Sequence, residues 1–327
     1  MCTVCAMPGD KRINGVNGWY IPQQDWTLKW MDMDEVEAMM QDAAKMEQHA
    51  RSSNKVSFYL YTSLDPINGR DITPSSDSIL CSYFNNSHPT RILIHGWTQD
   101  YNDSMNTEIT KAWLSLGDYN IIVVDWSHAR TWNYLSSVES MPIVAKEIAK
   151  MIKALSSEHG MSLSTLHLIG YSLGAHVAGL TGRELGTGRI HTIIGLDPST
   201  ILIRPDRHLS AADAYYVESI QTHGNFLGCK EPIGKIAFYP NGGQIQPGCR
   251  PWDFECSHGR SWIYYAEALT MRNFRAKKCC SLQHAMDHKC EENYSNVRIG
   301  AETNANLASG IYYVPVSDKA PYGSVDL

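Results

Sequence analysis

The 327-residue chain reads as an α/β protein, a mostly parallel sheet with helices on both faces. Three observations predict this. Short, continuous apolar runs recur at 91–95, 120–125, 165–169 and 190–196, and a strand that is apolar along its whole length is one covered on both sides. Segments of helical length separate these runs, as the crossovers of a parallel sheet require. One run delivers a serine between two glycines, Gly170-Tyr171-Ser172-Leu173-Gly174, the pattern of a tight strand-to-helix turn.

The elements follow in order. The first thirty residues are turn-rich, with Asn14-Gly15, Asn17-Gly18 and Pro22 interrupting Trp19, Trp26 and Trp30. Residues 32–50 place Val36, Met39, Met40, Ala43 and Met46 at helical spacing behind an acidic start. Residues 1–55 are therefore read as an N-terminal arm with one helix, either a propeptide-like segment or, the favoured reading, a cover over the core. Val56 to Tyr61 predicts a strand, and the Pro-, Gly-, Asp- and Ser-rich stretch to residue 78 a loop. The spacing then predicts helices over 104–116, 138–155 and 173–186, between the strands already named. The segment after residue 220 is richer in Gly, Pro and Cys and ends in a strand at Ile311 to Val316. Residues 56–327 thus read as one domain with a disulfide-tied edge.

Composition narrows the function. Hydrophobic residues make up 43% and charged residues 19%, the balance of an ordinary globular protein. A net charge of -6 argues against a nucleic-acid partner and gives no pull toward anionic membranes, so any lipid contact must be apolar. No apolar stretch is long enough to span a bilayer. The start, Met1-Cys2-Thr3-Val4-Cys5, lacks a basic region followed by an apolar run, so no signal peptide is visible in this chain. Nine cysteines, five of them within 249–290, nevertheless predict a disulfide-bonded extracellular protein. Three N-x-S acceptor patterns, at Asn85, Asn102 and Asn293, point the same way. Cys2 and Cys5 form a C-x-x-C pair without the flanking strand and helix of a redox motif, and are expected to pair elsewhere. An odd total leaves one thiol unpaired or shared between chains.

A serine nucleophile needs a base to take its proton and an acid to orient that base. Ser172 is the candidate nucleophile. The next apolar run, Ile193-Ile194-Gly195-Leu196, ends at Asp197-Pro198, which puts a carboxylate at the sheet edge where such folds bind ligands. Asp197 is the candidate acid; Asp206, Asp213 and Asp253 lack a buried strand ahead of them. Five histidines follow, His208, His223, His258, His284 and His288. Spacing alone does not choose among them, although His258, on a loop beside Cys256 and ahead of a helix, is well placed to be held still. The N–H groups of Leu173 and of Trp97, after the run ending Ile94-His95-Gly96, are candidates for an oxyanion hole. His95 and His176 read as structural hydrogen-bonding residues.

With these residues assembled, the chain resembles the pancreatic-lipase-like family of α/β hydrolases, in particular its insect neutral lipase and phospholipase A1 branch. The resemblance runs from about residue 56 to the end. It rests on Ile94-His95-Gly96-Trp97, Val124-Asp125-Trp126, Gly170 to His176, Leu196-Asp197-Pro198, Phe238 to Gly243, Gln246 to Cys249 and Cys256-Ser257-His258. Asn17-Gly18-Trp19-Tyr20 is similar to N-terminal segments of insect members. The resemblance implies a Ser172, Asp197, His258 triad, an oxyanion hole from Trp97 and Leu173, and a Cys249–Cys256 disulfide. It implies a secreted ester hydrolase that needs no cofactor.

The departures from the family pattern are informative. A long lid usually lies between the two cysteines, and here only Arg250 to Glu255 do, beside a short loop at 223–234. This implies phospholipase A1 or galactolipase activity, with neutral acylglycerol as the alternative, at a site open without interfacial activation. Trp252 and Phe254 would then touch the lipid surface. The chain ends too early for the C-terminal β-sandwich of the pancreatic members, so no colipase partner is expected. The family's calcium acids are reduced to Asp213, with Ser210 beside it, so no metal is expected. Cys290 is expected to pair with Cys279 or Cys280. A non-catalytic, yolk-like lipid-binding relative is the alternative from a different class.

Overall fold

The computed structural model describes residues 12–23, 25, 27–50, 56–130, 133–224 and 226–323, without the side chains of 43–50. Cys2 and Cys5 lie outside the described residues. A hairpin of β1 (Gly18–Pro22) and β2 (Leu28–Asp32) leads into helix α1 (Met33–Ala50). The central sheet then builds from β3 (Val56–Thr62), β4 (Asp65–Ile72), β5 (Thr90–Ile94), β6 (Asn120–Trp126), β7 (His167–Tyr171), β8 (Thr192–Leu196), β9 (Tyr216–Ile220), β10 (Ile236–Pro240), β11 (Lys277–Cys279) and β12 (Gly310–Val314). Its helices are α2 (Ser76–Leu80), α3 (Ser104–Leu116), α4 (Tyr134–Ser157), α5 (Leu173–Leu185), α6 (Phe254–Met271), α7 (Leu282–Met286) and α8 (Asn304–Leu307).

The ten strands lie in the order β11-β12-β10-β9-β8-β7-β5-β6-β3-β4, parallel from β12 to β6 and antiparallel at both edges. Alternation within β5 shows why its run is wholly apolar. Ile92 and Ile94 join the core beneath α4 and α5, while Leu93 joins the opposite core with Met105, Ile109 and Trp113 of α3 and Tyr264 and Tyr265 of α6. The chain is thus an α/β protein whose mostly parallel sheet is covered on both faces.

The structure departs from the sequence reading at the margins. Residues 65–72, read as loop, form β4; Pro66 and Gly69 are tolerated because the strand is at the sheet edge. The N-terminal segment, in contrast, agrees with the reading as a core cover: Ile21 and Val36 are buried in the same core as α4, with Trp19, Leu28, Met31, Met39 and Met40 against it. Two disulfides close the C-terminal part, Cys249–Cys256 and Cys279–Cys290, which decides between Cys279 and Cys280. Among the described residues no helix is long and apolar enough to cross a membrane.

Candidate active site

Parallel strands end on one edge of the sheet, and the residues that follow them gather there. β5 runs into His95-Gly96-Trp97, β7 into Ser172, β8 into Asp197, and β9 into Gln221-Thr222-His223.

Ser172 has φ 54° and ψ −118°, backbone that a residue with a side chain adopts only when its surroundings impose it. Crowding imposes it here. A Cβ on Gly170 would lie 2.2 Å from the Gly174 carbonyl oxygen, and one on Gly174 2.1 Å from that of Ile94. The Ser172 N–H donates to the Leu196 carbonyl (2.9 Å), fastening the elbow to β8. The hydroxyl makes no capping bond to α5, which an N-cap serine ordinarily does, so it is not consumed by the helix. The Leu173 N–H belongs to the first turn of α5, where no helix carbonyl can receive it. Gly96 comes so close that a Cβ there would lie 2.9 Å from Ser172 Cβ. Trp97 follows it, buried, its ring set edge-on to Tyr134 at 5.3 Å.

Asp197 and His258 are fully buried and joined, Nδ1 of His258 donating to Oδ2 of Asp197 at 2.5 Å. The other carboxylate oxygen accepts the backbone N–H groups of Thr222 (2.7 Å) and His223 (3.1 Å). Three such bonds offset the cost of burying a carboxylate. Gly228 presses on the same group: a Cβ there would stand 2.4 Å from Asp197 Oδ1. The sequence reading missed these second contacts because β9, which carries Thr222 and His223 to the site, was not recognised as a strand.

His258 sits within α6, not on a loop before it; the helix begins four residues earlier, at Phe254. Asp253 caps it by accepting the Cys256 N–H (3.0 Å), and the Cys249–Cys256 bond holds its first turn. Ser261 Oγ donates to the His258 carbonyl (2.9 Å), and the Tyr171 ring lies 4.7 Å from the imidazole. Of the five candidate histidines, it is His258 that meets Asp197 side chain to side chain.

Ser172 is 5% exposed and His258 0%, both set below the surface at the strand ends. Phe254 packs on His223 (5.7 Å) and Phe226 (5.0 Å), and His223 on Phe226 (5.1 Å). Phe254 is therefore turned inward, whereas Trp252 is 70% exposed. Burial pushes the His223 imidazole down to about 4, with Asp197 opposing and His258 adding to the shift. Burial also pushes the Tyr171 phenol well up, helped by Asp197 and Glu255.

His95 and His176 are framework. His95 Nδ1 meets the Gly96 carbonyl (2.9 Å), and its own carbonyl accepts from Trp126 Nε1 (3.1 Å). His176 spans from the Ser199 carbonyl (2.5 Å) to the Leu209 N–H (2.9 Å). Asp213 and Ser210 do not fit a calcium site. Both Asp213 carboxylate oxygens are taken by Arg183, and Ser210 donates to Asp213 through its N–H and Oγ.

The α/β sheet thus brings a strained Ser172 elbow and a buried Asp197–His258 pair to one edge, the arrangement expected of the α/β class of serine hydrolases. Residues 24–322 match the family described as Lipase. A human pancreatic lipase-related protein 2 is 33% identical over 71% of this chain and 55% of its own length. A mouse phospholipase A1 member A is 38% identical over 66% and 49%, and a guinea-pig (Cavia porcellus) pancreatic triacylglycerol lipase 32% over 73% and 57%. The chain belongs to the lipase family, in its pancreatic-lipase-like group. It spans about half the length of these relatives.

Proposed function

We propose that the protein is an extracellular carboxylic-ester hydrolase that releases the outer acyl chain of glycerophospholipids, a phospholipase A1-type activity. The observation that carries the chemistry is the buried 2.5 Å contact between Asp197 and His258, on the same sheet edge as the Ser172 elbow. Ser172 Oγ attacks the acyl carbonyl carbon while its proton passes to His258 Nε2. Asp197 holds the imidazole by Nδ1 and stabilises its positive charge. The N–H groups of Leu173 and Trp97 receive the developing oxyanion, a contribution of roughly 10²–10³ in rate per donor. The intermediate collapses, the glycerol oxygen leaves with the proton from His258, and an acyl-Ser172 ester remains. Water then attacks that ester, giving its proton to His258, and the fatty acid departs as Ser172 regains a proton.

The short Cys249–Cys256 segment and the 223–234 loop support a phospholipid over a triacylglycerol. The similarity to a triacylglycerol lipase keeps neutral acylglycerol as the second reading. Two disulfides support the extracellular setting, and Trp252 is the exposed ring suited to a lipid surface. The experiment is fatty-acid release from mixed-acyl phosphatidylcholine and from matched triacylglycerol, with Ser172→Ala as control. Outer-chain release from the phospholipid that falls on the order of a millionfold in the variant supports the reading. Turnover of triacylglycerol alone favours the second. No Ser172-dependent release from either overturns both and favours a lipid-binding role.

A further inference from the structure

The N-terminal hairpin and the Cys249–Cys256 segment border a solvent-open cleft of about 890 Å³, with Tyr20 and Asp25 on one wall and Arg250, Trp252, Phe254 and Glu255 on the other. It adjoins the candidate active site. Phe254 and Glu255 open the helix that carries His258 one turn later, and Glu255 also lines a second cavity of about 530 Å³ that reaches Tyr171, the residue before Ser172.

The lining has an unusual charge pattern. Arg250 is exposed to the cavity, and its guanidinium makes no ion pair or hydrogen bond among the described residues. Around it stand Asp25, whose carboxylate is held by the Thr27 hydroxyl (2.6 Å) and N–H (3.0 Å), and Glu255, beside Asp253. Apolar groups (Tyr20, Leu28, Phe226, Trp252 and Phe254) share the lining with these charges, so an acyl chain could lie along it but would leave the guanidinium and carboxylates without partners. A wholly anionic headgroup would meet the carboxylates. A group bearing both charges satisfies every wall: phosphate pairs with guanidinium, and an ammonium lies against aromatic faces beside carboxylates.

We infer that this cavity is the headgroup site for a zwitterionic phospholipid, its phosphate on Arg250 and its quaternary or primary ammonium against Trp252 and Tyr20 beside Asp25 and Glu255. The inference rests on the phospholipase reading above and makes the hairpin a specificity element.

The test is equilibrium binding to the Ser172→Ala protein, read by tryptophan fluorescence. The probes are short-chain diether lipids bearing phosphocholine, phosphoglycerol or no phosphate. Phosphocholine should bind at least about tenfold tighter than phosphoglycerol. Arg250→Ala should weaken phosphocholine about tenfold and bring it near the phosphate-free lipid, while Asp25→Asn should weaken phosphocholine and spare phosphoglycerol. Equal affinity of the Ser172→Ala protein for phosphocholine and phosphoglycerol overturns the inference without any further variant; so does an Arg250→Ala protein that binds as before and melts normally. Wild-type release of the outer chain with no headgroup preference sinks the headgroup site and leaves the phospholipase reading standing. Selective phosphocholine binding without any acyl release does the reverse.

Discussion

Arg183 donates from Nε to Oδ1 of Asp213 (2.8 Å) and from Nη2 to Oδ2 (3.0 Å), while its Nη atoms also reach the carbonyl oxygens of Asp206 and His208. A converging set of oxygens is what a hard cation seeks. Here a guanidinium tethered to α5 fills it, next to the turn that leads from Asp197 to β9.

With Asp213 held in this way, we expect activity to be independent of calcium. Hydrolysis followed by pH-stat should stay within about twofold when a strong chelator is added. Arg183→Ala should cost about 3 kcal/mol in urea unfolding, because Asp213, 1% exposed, loses its partner. The Arg183→Ala/Asp213→Asn double variant should recover part of that loss. A chelator-sensitive wild type would contradict this account.

Replacing Asp197 by Asn keeps the shape but donates where the aspartate accepted. The imidazole of His258 is then held in the wrong tautomer, and kcat should fall on the order of 10⁴. Soluble-ester turnover with a parallel thermal melt separates this from unfolding. A loss of less than tenfold in a folded variant would remove Asp197 from its proposed role.

Gly228→Ala tests the packing that positions the acid. Its Cβ would stand 2.4 Å from Asp197 Oδ1, so carboxylate or loop must shift, at a cost of about 1–3 kcal/mol. We expect kcat to drop at least tenfold with KM for a soluble ester nearly unchanged. An unaltered kcat would mean that the loop yields without moving Asp197.

Acid should weaken the fold through His223. Its folded pKa of about 4 lies below the ordinary value of 6.5, so between these limits the unfolded chain binds more protons. Stability is therefore complete above about pH 6.5 and falls as the pH drops toward 4, by about 3 kcal/mol for this group. His176, pushed down to about 3 by burial, adds to the same slope. His223→Phe, which keeps the ring packing between Phe226 and Phe254, should flatten the curve of urea unfolding against pH. Identical curves for the two proteins would exclude His223 as the source.

How much of this was legible in the chain depended on the range of the cause. The four continuous apolar runs became β5 to β8 because burial on both faces is written into local composition. The glycines at 170 and 174 marked the elbow because a side chain there collides with backbone only a few residues away or on the adjacent strand. Tyr216–Ile220 does not read as a buried strand from sequence because it carries Glu218 and Ser219. These are buried with partners far along the chain, Gly300 and Asn304 for the glutamate and Ile233 for the serine. Residues 65–72 hid behind Pro66 and Gly69, which only an edge position excuses. The five histidines after Asp197 were equivalent in spacing. Of these, His258 brings its imidazole to the Asp197 carboxylate, carried there by α6, which packs against α3 on one face of the sheet, whereas His223 meets it through its backbone N–H. Sequence by itself determined which segments must be buried and where the chain turns sharply, since both are local properties. Tertiary structure decided which polar groups meet, because a buried charge is tolerable only beside partners supplied from elsewhere in the fold.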